Sequence, residues 1–171
     1  VDRIPTPMGL MLAAATDEAL VLLEFVDRRM LPTQVRRVRE RLDAVFVPEP
    51  SAVVAEAGAA LGSYFDGALR DFDLSVRPLG TPFQMEVWEA LREIPYGETR
   101  SYADLARAVG RPSAGRAVGR ANGMNGLAIV IPCHRVVGAD GRLVGYGGGL
   151  WRKQRLLDLE REARLRNRQS D

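Results

Sequence analysis

The sequence of 171 residues has one cysteine and one histidine. A single cysteine excludes an internal disulfide, and a reduced thiol suits a reducing compartment, so we expect a cytoplasmic protein. The same scarcity excludes a zinc site built from Cys and His ligands, and we expect neither a metal nor a cofactor. No stretch is long and apolar enough to cross a membrane, and no segment has the features of a signal peptide.

Lysine is equally scarce, because Lys153 is the only one and all other positive side chains are arginines. Residues 1–80 contain 9 arginines and 12 acidic residues, whereas residues 81–171 contain 14 arginines, Lys153 and 10 acidic residues. The planar guanidinium group suits phosphates and stacking on bases. The basic second half favours nucleic-acid binding, although a solvated charged surface explains the same count.

The lone cysteine and the lone histidine are adjacent, in the heptapeptide Ile131-Pro132-Cys133-His134-Arg135-Val136-Val137. A thiol beside an imidazole is typical of an activated sulfur nucleophile, because the thiolate reacts and a neighbouring base promotes its formation. Without further context, a lone cysteine is more often a small buried apolar residue. The residues around this pair therefore decide the interpretation.

The pattern along the chain predicts an α+β protein with two domains. The N-terminal domain, residues 1–78, is expected to be a small α/β unit with a short antiparallel sheet. Its predicted strands cover residues 8–15, 19–25, 45–47 and 74–76, and its predicted helices cover residues 35–42 and 51–67. A linker at residues 79–82 precedes a mostly helical C-terminal domain, residues 83–171.

Two short helices in the C-terminal domain predict a helix-turn-helix. Ser101 is a good N-cap for a helix over residues 102–109, and Asp104 completes a capping box. The second helix is predicted over residues 114–122. Further helices are predicted over residues 83–93 and from Leu150 to about Arg164, with a frayed polar end after it.

The second helix of the pair is rich in small residues, including Gly115, Ala117 and Gly119. Glycine inside a helix costs about 1 kcal/mol relative to alanine, so a close approach of the helix backbone to a partner is indicated. Another helix of the same protein and the floor of a DNA minor groove are both compatible with this pattern.

The heptapeptide and its surroundings resemble the O6-alkylguanine-DNA alkyltransferases, or methylated-DNA–protein-cysteine methyltransferases. The resemblance covers roughly Thr81 to Glu160 and is loose in the N-terminal half. Besides the heptapeptide, it is carried in order by Tyr96-Gly97-Glu98-Thr99, Ser101-Tyr102, Arg116-Ala117-Val118-Gly119, Asn125, Gly145-Tyr146-Gly147-Gly148-Gly149-Leu150 and Leu156-Leu157-Asp158-Leu159-Glu160.

This resemblance implies single-turnover DNA repair, in which Cys133 irreversibly takes the alkyl group of O6-alkylguanine and also of O4-alkylthymine. His134 would be the base, acting through a water because adjacent residues of an extended segment point to opposite sides. Glu160 would orient the imidazole. Tyr102 would donate to guanine N3, and Asn125 would hold the turn before the active-site strand.

For the substrate, the resemblance implies that carbonyls at Cys133 and Val136 accept from the exocyclic amine and that Tyr146, Gly147 and Gly148 close over the base. The helix with Gly115, Ala117 and Gly119 would enter the minor groove of double-stranded DNA, and Arg116 would replace the extruded base. We expect a monomer with no membrane partner. Some relatives have Ser in place of Gly147 and Pro in place of Ala128, so a slightly roomier pocket is expected.

Three alternatives remain open at this point. A thiol hydrolase with a Cys-His-Glu triad is disfavoured, because its partners normally come from distant segments. A lesion-sensing DNA-binding module would not need Cys133. The chain, which begins with Val rather than Met, is also compatible with the repair domain of a bifunctional adaptive-response regulator.

Overall fold

The computed structural model describes residues 1–168, and it divides into two compact units. The N-terminal unit consists of Val1–Leu79 with Gly126–Ala128, and the C-terminal unit consists of Gly80–Asn125 with Ile129–Asp171. The predicted linker at residues 79–82 divides the chain once, whereas residues 126–128 belong to the N-terminal unit although they follow that linker. The predicted domain boundaries stay a prediction. Residues 169–171 of the predicted C-terminal domain lie outside the described residues.

The N-terminal unit is built on a three-stranded antiparallel sheet. Strand β1 covers Asp2–Thr6, β2 covers Gly9–Ala15 and β3 covers Leu20–Phe25, in the order β1-β2-β3. The predicted hairpin is confirmed as β2 and β3. Strand β1 was missed, because three of its five residues are exposed and Pro5 interrupts the apolar pattern. Every residue of β3 is buried, so this strand is the centre of the unit.

Two helices cover this sheet. Helix α1 covers Leu31–Leu42, and helix α2 covers Ala52–Phe65. The Ser51 hydroxyl accepts a 3.3 Å hydrogen bond from the Val54 backbone N–H, so the predicted cap is confirmed. Both helices were predicted, but α1 begins four residues earlier than its apolar spacing indicated.

Of the predicted strands of this unit, one is wrong and another is reduced to a single β-bridge. Residues 45–47 form no strand, and Val45 and Val47 are 73% and 47% exposed, because no neighbouring strand pairs with them. Residues 74–76 contribute a single parallel bridge between Val76 and Leu20. Residues 126–128 add a second parallel bridge to β3, with Leu23 N–H donating to Gly126 O at 2.9 Å and Ala128 N–H donating to Leu23 O at 2.8 Å.

The first three helices of the C-terminal unit are α3 (Pro82–Arg92), α4 (Tyr102–Ala108) and α5 (Gly115–Gly123). Helices α4 and α5 form the predicted helix-turn-helix. Capping boxes of Thr81 with Gln84 and Ser101 with Asp104 begin α3 and α4. The indole N–H of Trp88 on α3 donates a 2.8 Å hydrogen bond to Ala121 O, which anchors the last turn of α5.

The remaining elements of this unit are short, except for the last helix. Strands β4 (Arg100–Ser101) and β5 (Val136–Val137) form a two-stranded parallel pair. A 3-10 helix covers Cys133–Arg135, and helix α6 covers Leu150–Arg168. Helix α6 is longer than predicted, because Ala163 is buried and Arg164 donates to Gly97 O at 3.4 Å, so packing continues beyond the predicted end.

These elements make the protein an α+β protein with a short antiparallel sheet and a mostly helical C-terminal unit, as predicted. None of the helices described between residues 1 and 168 is long and apolar enough to span a bilayer.

Two glycines with opposite surroundings test this packing. A Cβ at Gly80 would lie 2.4 Å from the Trp88 ring, whereas a Cβ at Gly62, on the exposed side of α2, would meet no atom within 4 Å. We expect Gly80→Ala to destabilise the protein by about 1 to 3 kcal/mol through overpacking. We expect Gly62→Ala to stabilise it by about 0.5 to 1 kcal/mol through lower chain entropy in the unfolded state. Urea denaturation of both variants measures this, and equal shifts would contradict the described position of Trp88.

Candidate active site

The apolar segment that ends at Ile131 leads directly into the 3-10 helix of Cys133–Arg135. The Cys133 N–H donates to Ile131 O at 2.8 Å, and the Val136 N–H donates to Cys133 O, which closes the turn. The extended conformation expected for Cys133 and His134 is therefore wrong. Pro132, at φ −81° and ψ 61°, turns the chain, and successive side chains of such a helix diverge by about 120° rather than pointing to opposite sides.

The carboxylate of Glu160 on α6 is the centre of the site. It lies 2.7 Å from His134 Nε2, and it accepts from Arg135 at 2.9 and 3.0 Å and from the Gly97 N–H at 3.1 Å. Glu160 and His134 are both 0% exposed, and Arg135 is 5% exposed. Burial alone would raise the pKa of the Glu160 carboxyl, but the charge and hydrogen bonds of His134 and Arg135 outweigh it and hold that pKa well below its ordinary value.

This low pKa defines the tautomer of His134. A carboxylate only accepts hydrogen bonds, so Nε2 carries the proton and donates it to Glu160. In the neutral ring, Nδ1 then carries the basic lone pair. Nδ1 is buried and has no hydrogen-bond partner among the described residues, so it makes no direct bond to the Cys133 thiol. His134 and Glu160 are hydrogen-bonded, as the resemblance implied, and the basic nitrogen Nδ1 is the ring nitrogen that does not contact the carboxylate.

Arg135 and Gly97 hold this centre together, and sequence reasoning assigned neither of them a role. Besides its two bonds to Glu160, Arg135 donates to Ile94 O at 2.7 Å and lies 5.6 Å from the centre of the Tyr96 ring. Gly97 has φ +76°, and a Cβ there would lie 3.2 Å from Glu160 O. The position of Arg135 inside the heptapeptide was the available signal, but an arginine beside a reactive residue looks equally like a phosphate ligand.

Tyr102 and Lys153 both bond to the carbonyl of Val144, and the charge of Cys133 affects both of them. The Tyr102 hydroxyl donates to Val144 O at 2.8 Å, and the Lys153 ammonium donates to Val144 O at 3.2 Å and to Gly145 O at 3.1 Å. Burial, and then the charge of Cys133, raise the pKa of Tyr102. Burial lowers the pKa of Lys153 to about 8, although the charge of Cys133 opposes this shift. Both groups therefore lie within electrostatic reach of the thiol.

Lys153 was not among the predicted site residues. It is 0% exposed, which is rare for a lysine, and the rarity of lysine in this arginine-rich chain was the only available signal. A buried amine that bonds two successive carbonyls fixes the start of the glycine-rich loop. Tyr102, by contrast, lies where the sequence placed it, at the first position of α4.

Two asparagines connect the end of α5 to the segment of Cys133. Asn125 Nδ2 donates to Ile131 O at 2.9 Å and so links the two ends of the intervening segment. Asn122 Nδ2 lies 3.5 Å from Cys133 O. Within the segment from Asn125 to Ile131, buried Ile129 has φ +72°, a left-handed conformation that costs a β-branched residue about 1 to 3 kcal/mol.

The predicted base-covering loop begins at Gly145 and ends at Gly149, which have φ +60° and +92°. Gly147 is exposed, Tyr146 is half-buried, and Gly148 is buried with its carbonyl accepting from Arg152 at 2.9 Å. Val136 is buried in β5. Lys153 donates to the carbonyls of Val144 and Gly145, so it fixes the first residue of this loop and the residue before it.

The surface of α5 carries the predicted DNA-contacting residues. Arg116 is exposed, and Ala117 is half-buried. A Cβ at Gly115 would meet no atom within 4 Å, and one at Gly119 would make ordinary contact with the Tyr102 ring at 3.7 Å. Packing inside the C-terminal unit therefore does not require these glycines.

Across residues 1–168, no group of three or more His, Cys, Asp or Glu side chains is placed to hold a metal ion.

The energetic weight of Glu160 is testable by its pH dependence. We expect Glu160→Gln to destabilise the protein by about 3 to 5 kcal/mol at neutral pH, because it leaves buried Arg135 without its counter-charge. A carboxyl with a lowered folded-state pKa stabilises the protein above its ordinary pKa of about 4, and this contribution is lost as the pH falls further. The stability difference between the wild-type protein and the variant should therefore shrink below about pH 4.

Urea denaturation over a series of pH values measures this difference, and Glu162→Gln, on an exposed face of the same helix, is the matched control. Equal stability of wild type and Glu160→Gln at neutral pH would contradict the described network.

The C-terminal unit matches the family model for the DNA-binding domain of 6-O-methylguanine DNA methyltransferase over residues 82–162. A methylated-DNA–protein-cysteine methyltransferase of Mycolicibacterium paratuberculosis is 48% identical over 158 residues, which are 92% of this chain and 90% of that protein. One from Methanosarcina barkeri is 45% identical over 159 residues, 93% of this chain and 95% of that protein.

The fold leads to the same group of proteins. The crystal structure of Mycobacterium tuberculosis OGT in complex with DNA superposes with a TM-score of 0.83 at 42% identity, and the match covers 94% of this chain and 92% of that chain. With sequence similarity of this level over more than nine tenths of its length, the chain belongs to the methylated-DNA–protein-cysteine methyltransferase family.

Proposed function

We infer that this protein repairs DNA by direct reversal, transferring an alkyl group from the damaged base to its own cysteine. We propose Cys133 as the acceptor, O6-alkylguanine as the main substrate and O4-alkylthymine as a second one. The observation that carries this assignment is a buried thiol next to an imidazole whose proton position is set by a buried carboxylate. A thioether is not readily hydrolysed, so each molecule would act once.

The first step is the activation of the thiol. An ordinary cysteine is only a few per cent ionised near neutral pH, so a base has to take its proton. His134 Nδ1 supplies the lone pair, and it acts through a water because it makes no direct bond to the thiol. Glu160 stabilises the imidazolium that results. Arg135 and Gly97 keep Glu160 in place and are positioning residues.

The second step breaks the bond between the alkyl carbon and O6. The thiolate forms the new carbon–sulfur bond, and the electron pair of the broken bond passes to the guanine ring. The Tyr102 hydroxyl turns its one hydrogen from Val144 O to guanine N3, for which its raised pKa is suitable because the phenol stays protonated. The proton lost by the thiol is balanced by the one that guanine gains.

Lys153 supports the same step from the side of the loop. Its ammonium group places a positive charge within electrostatic reach of Cys133, which favours the thiolate. Its bonds to the carbonyls of Val144 and Gly145 hold the loop in which Tyr146, Gly147 and Gly148 would close over the base. Carbonyls of Cys133 and Val136 would accept from the exocyclic amine of guanine.

The target carbon is inaccessible in stacked DNA, so the nucleotide has to be extruded from the duplex. Helix α5 is the proposed minor-groove element, with Gly115, Ala117 and Gly119 as its small residues and Arg116 filling the space of the extruded base. Gly119 supports this proposal, because it lies inside the helix, where glycine costs about 1 kcal/mol relative to alanine, and a Cβ there would make only ordinary contact with the Tyr102 ring at 3.7 Å. We propose that the protein acts as a monomer, in a reducing compartment such as the cytoplasm where its thiol persists.

Stoichiometric transfer is tested by intact-protein mass after mixing with a duplex that contains one O6-methylguanine. We expect a gain of one CH2 per protein molecule, mapped to Cys133, because a methyl group replaces the thiol hydrogen. Cys133→Ser, which keeps the size of the side chain, should show no gain. Tight binding of the damaged duplex with unchanged mass would instead identify a lesion sensor.

The role of α5 is tested at Gly115. Gly115→Leu should fold normally, since a Cβ there meets no atom within 4 Å, but it should weaken duplex binding at least about tenfold, or about 1.4 kcal/mol, by keeping the backbone away from DNA. Fluorescence anisotropy with a labelled duplex measures the affinity, and Gly62→Leu on α2 is the control. Transfer from the free O6-methylguanine base should be unchanged, and unaltered duplex affinity would argue against this face of α5.

A further inference from the structure

The side chain of Asn122 is buried without the hydrogen bonds that a structural asparagine normally makes. It lies in the last turn of α5 and is 6% exposed. Its Nδ2 makes one long contact, 3.5 Å to Cys133 O, and its Oδ1 has no hydrogen-bond partner among the described residues. Most buried polar side-chain atoms are paired, but this amide has one long contact for the two hydrogens of Nδ2, so it has hydrogen-bonding capacity left for a ligand.

The surroundings of Asn122 keep its amide close to the nucleophile. Trp88 anchors the carbonyl of neighbouring Ala121 at 2.8 Å, and the Asn125 N–H donates to Asn122 O at 3.3 Å. An amide nitrogen has two hydrogens, and only one of them can point to the Cys133 carbonyl. The side chain therefore offers a second N–H beside the carbonyl that is proposed to accept from the guanine amine.

We propose that Asn122 distinguishes alkylated from unmodified guanine by donating this second N–H to N1 of the extruded base. This inference rests on the proposed function, with guanine placed against the Cys133 carbonyl. Alkylation at O6 removes the hydrogen from N1, so O6-alkylguanine presents an amine donor and an N1 acceptor side by side. The Cys133 carbonyl and the Asn122 amide are the complementary acceptor and donor, 3.5 Å apart.

Unmodified guanine has a hydrogen on N1 and presents two donors in a row. Its N1–H would face the N–H of Asn122, because turning the amide over would bring Oδ1 against the Cys133 carbonyl, which is another acceptor. Two donors that face each other lose both hydrogen bonds. The site therefore accepts the alkylated base and disfavours the normal base by a property of the ring itself, independently of the alkyl group. Discrimination by an unpaired polar group is a strong form of specificity.

The same hydrogen bond assists the reaction. As the carbon–oxygen bond breaks, its electron pair spreads over O6, N1 and N3 of the leaving guanine. Asn122 at N1 and Tyr102 at N3 then stabilise two of the three positions that gain negative charge. Once N1 regains a proton, the repaired base becomes a donor towards Asn122, which favours its release.

Substrate analogues test this inference without depending on a variant. Single-turnover methyl transfer is measured on duplexes that contain O6-methylguanine, its 1-deaza analogue or its 3-deaza analogue, in which a C–H replaces N1 or N3. For the wild-type protein, we expect the 1-deaza analogue to react about three- to tenfold more slowly than the parent, as the loss of one hydrogen bond implies.

Asn122→Leu, which keeps the size of the side chain and removes both N–H groups, completes the comparison. It should slow the parent substrate by a similar factor and show no further loss with the 1-deaza analogue. The 3-deaza analogue is the internal control, because it removes the contact to Tyr102 and should slow wild type and variant equally.

A wild-type protein that treats the parent and the 1-deaza analogue alike would overturn the inference. So would a variant that slows all three substrates by one common factor, which is the result of a purely structural role. A wild-type protein that transfers no methyl group from the parent duplex would overturn the proposed function itself, and this outcome is distinct from the other two.

Discussion

The buried carboxylate of Glu160 is the constraint on which the rest of the C-terminal unit depends. A charge without solvent access is tolerated only when it is paired and hydrogen-bonded, and here donors from His134, Arg135 and Gly97 meet at one side chain. This requirement sets the tautomer of the imidazole, the glycine at position 97 and the direction of the Arg135 side chain. The bonds that stabilise this part of the fold are therefore the same ones that fix the proposed base.

Several elements fix the position of Cys133. The 3-10 helix sets the direction of its side chain, and Asn125 and Asn122 connect its segment to the end of α5. Tyr102 and Lys153 share the Val144 carbonyl, so both are tied to the start of the loop that would cover the base. The helix proposed to contact DNA is thus linked to the segment of the residue proposed to react by a 3.5 Å contact from Asn122 Nδ2 to Cys133 O and a 2.9 Å bond from Asn125 Nδ2 to Ile131 O.

Local sequence signals predicted the elements that depend on local interactions. The hairpin of β2 and β3, the caps at Ser51 and Ser101 and the pair of helices α4 and α5 follow from apolar spacing and capping chemistry alone. The failures have two causes. Pairing decides the strands: β1 exists because it pairs with β2, whereas residues 45–47 pair with no described strand, although Val47 O accepts from the N-terminal ammonium of Val1. A local residue, Pro132, turns Cys133 and His134 out of the expected extended conformation.

The sequence by itself determined the reactive pair, because one cysteine and one histidine lie side by side in a specific motif, and the pairing of Glu160 with His134 was anticipated by resemblance. Only the tertiary structure decided which other groups reach them. Gly97, Arg135, Lys153 and Asn122 join the site because a buried charge, a buried amine and a buried amide each need partners. Hydrogen-bond satisfaction depends on positions in space, so neither composition nor spacing along the chain could have placed these four residues.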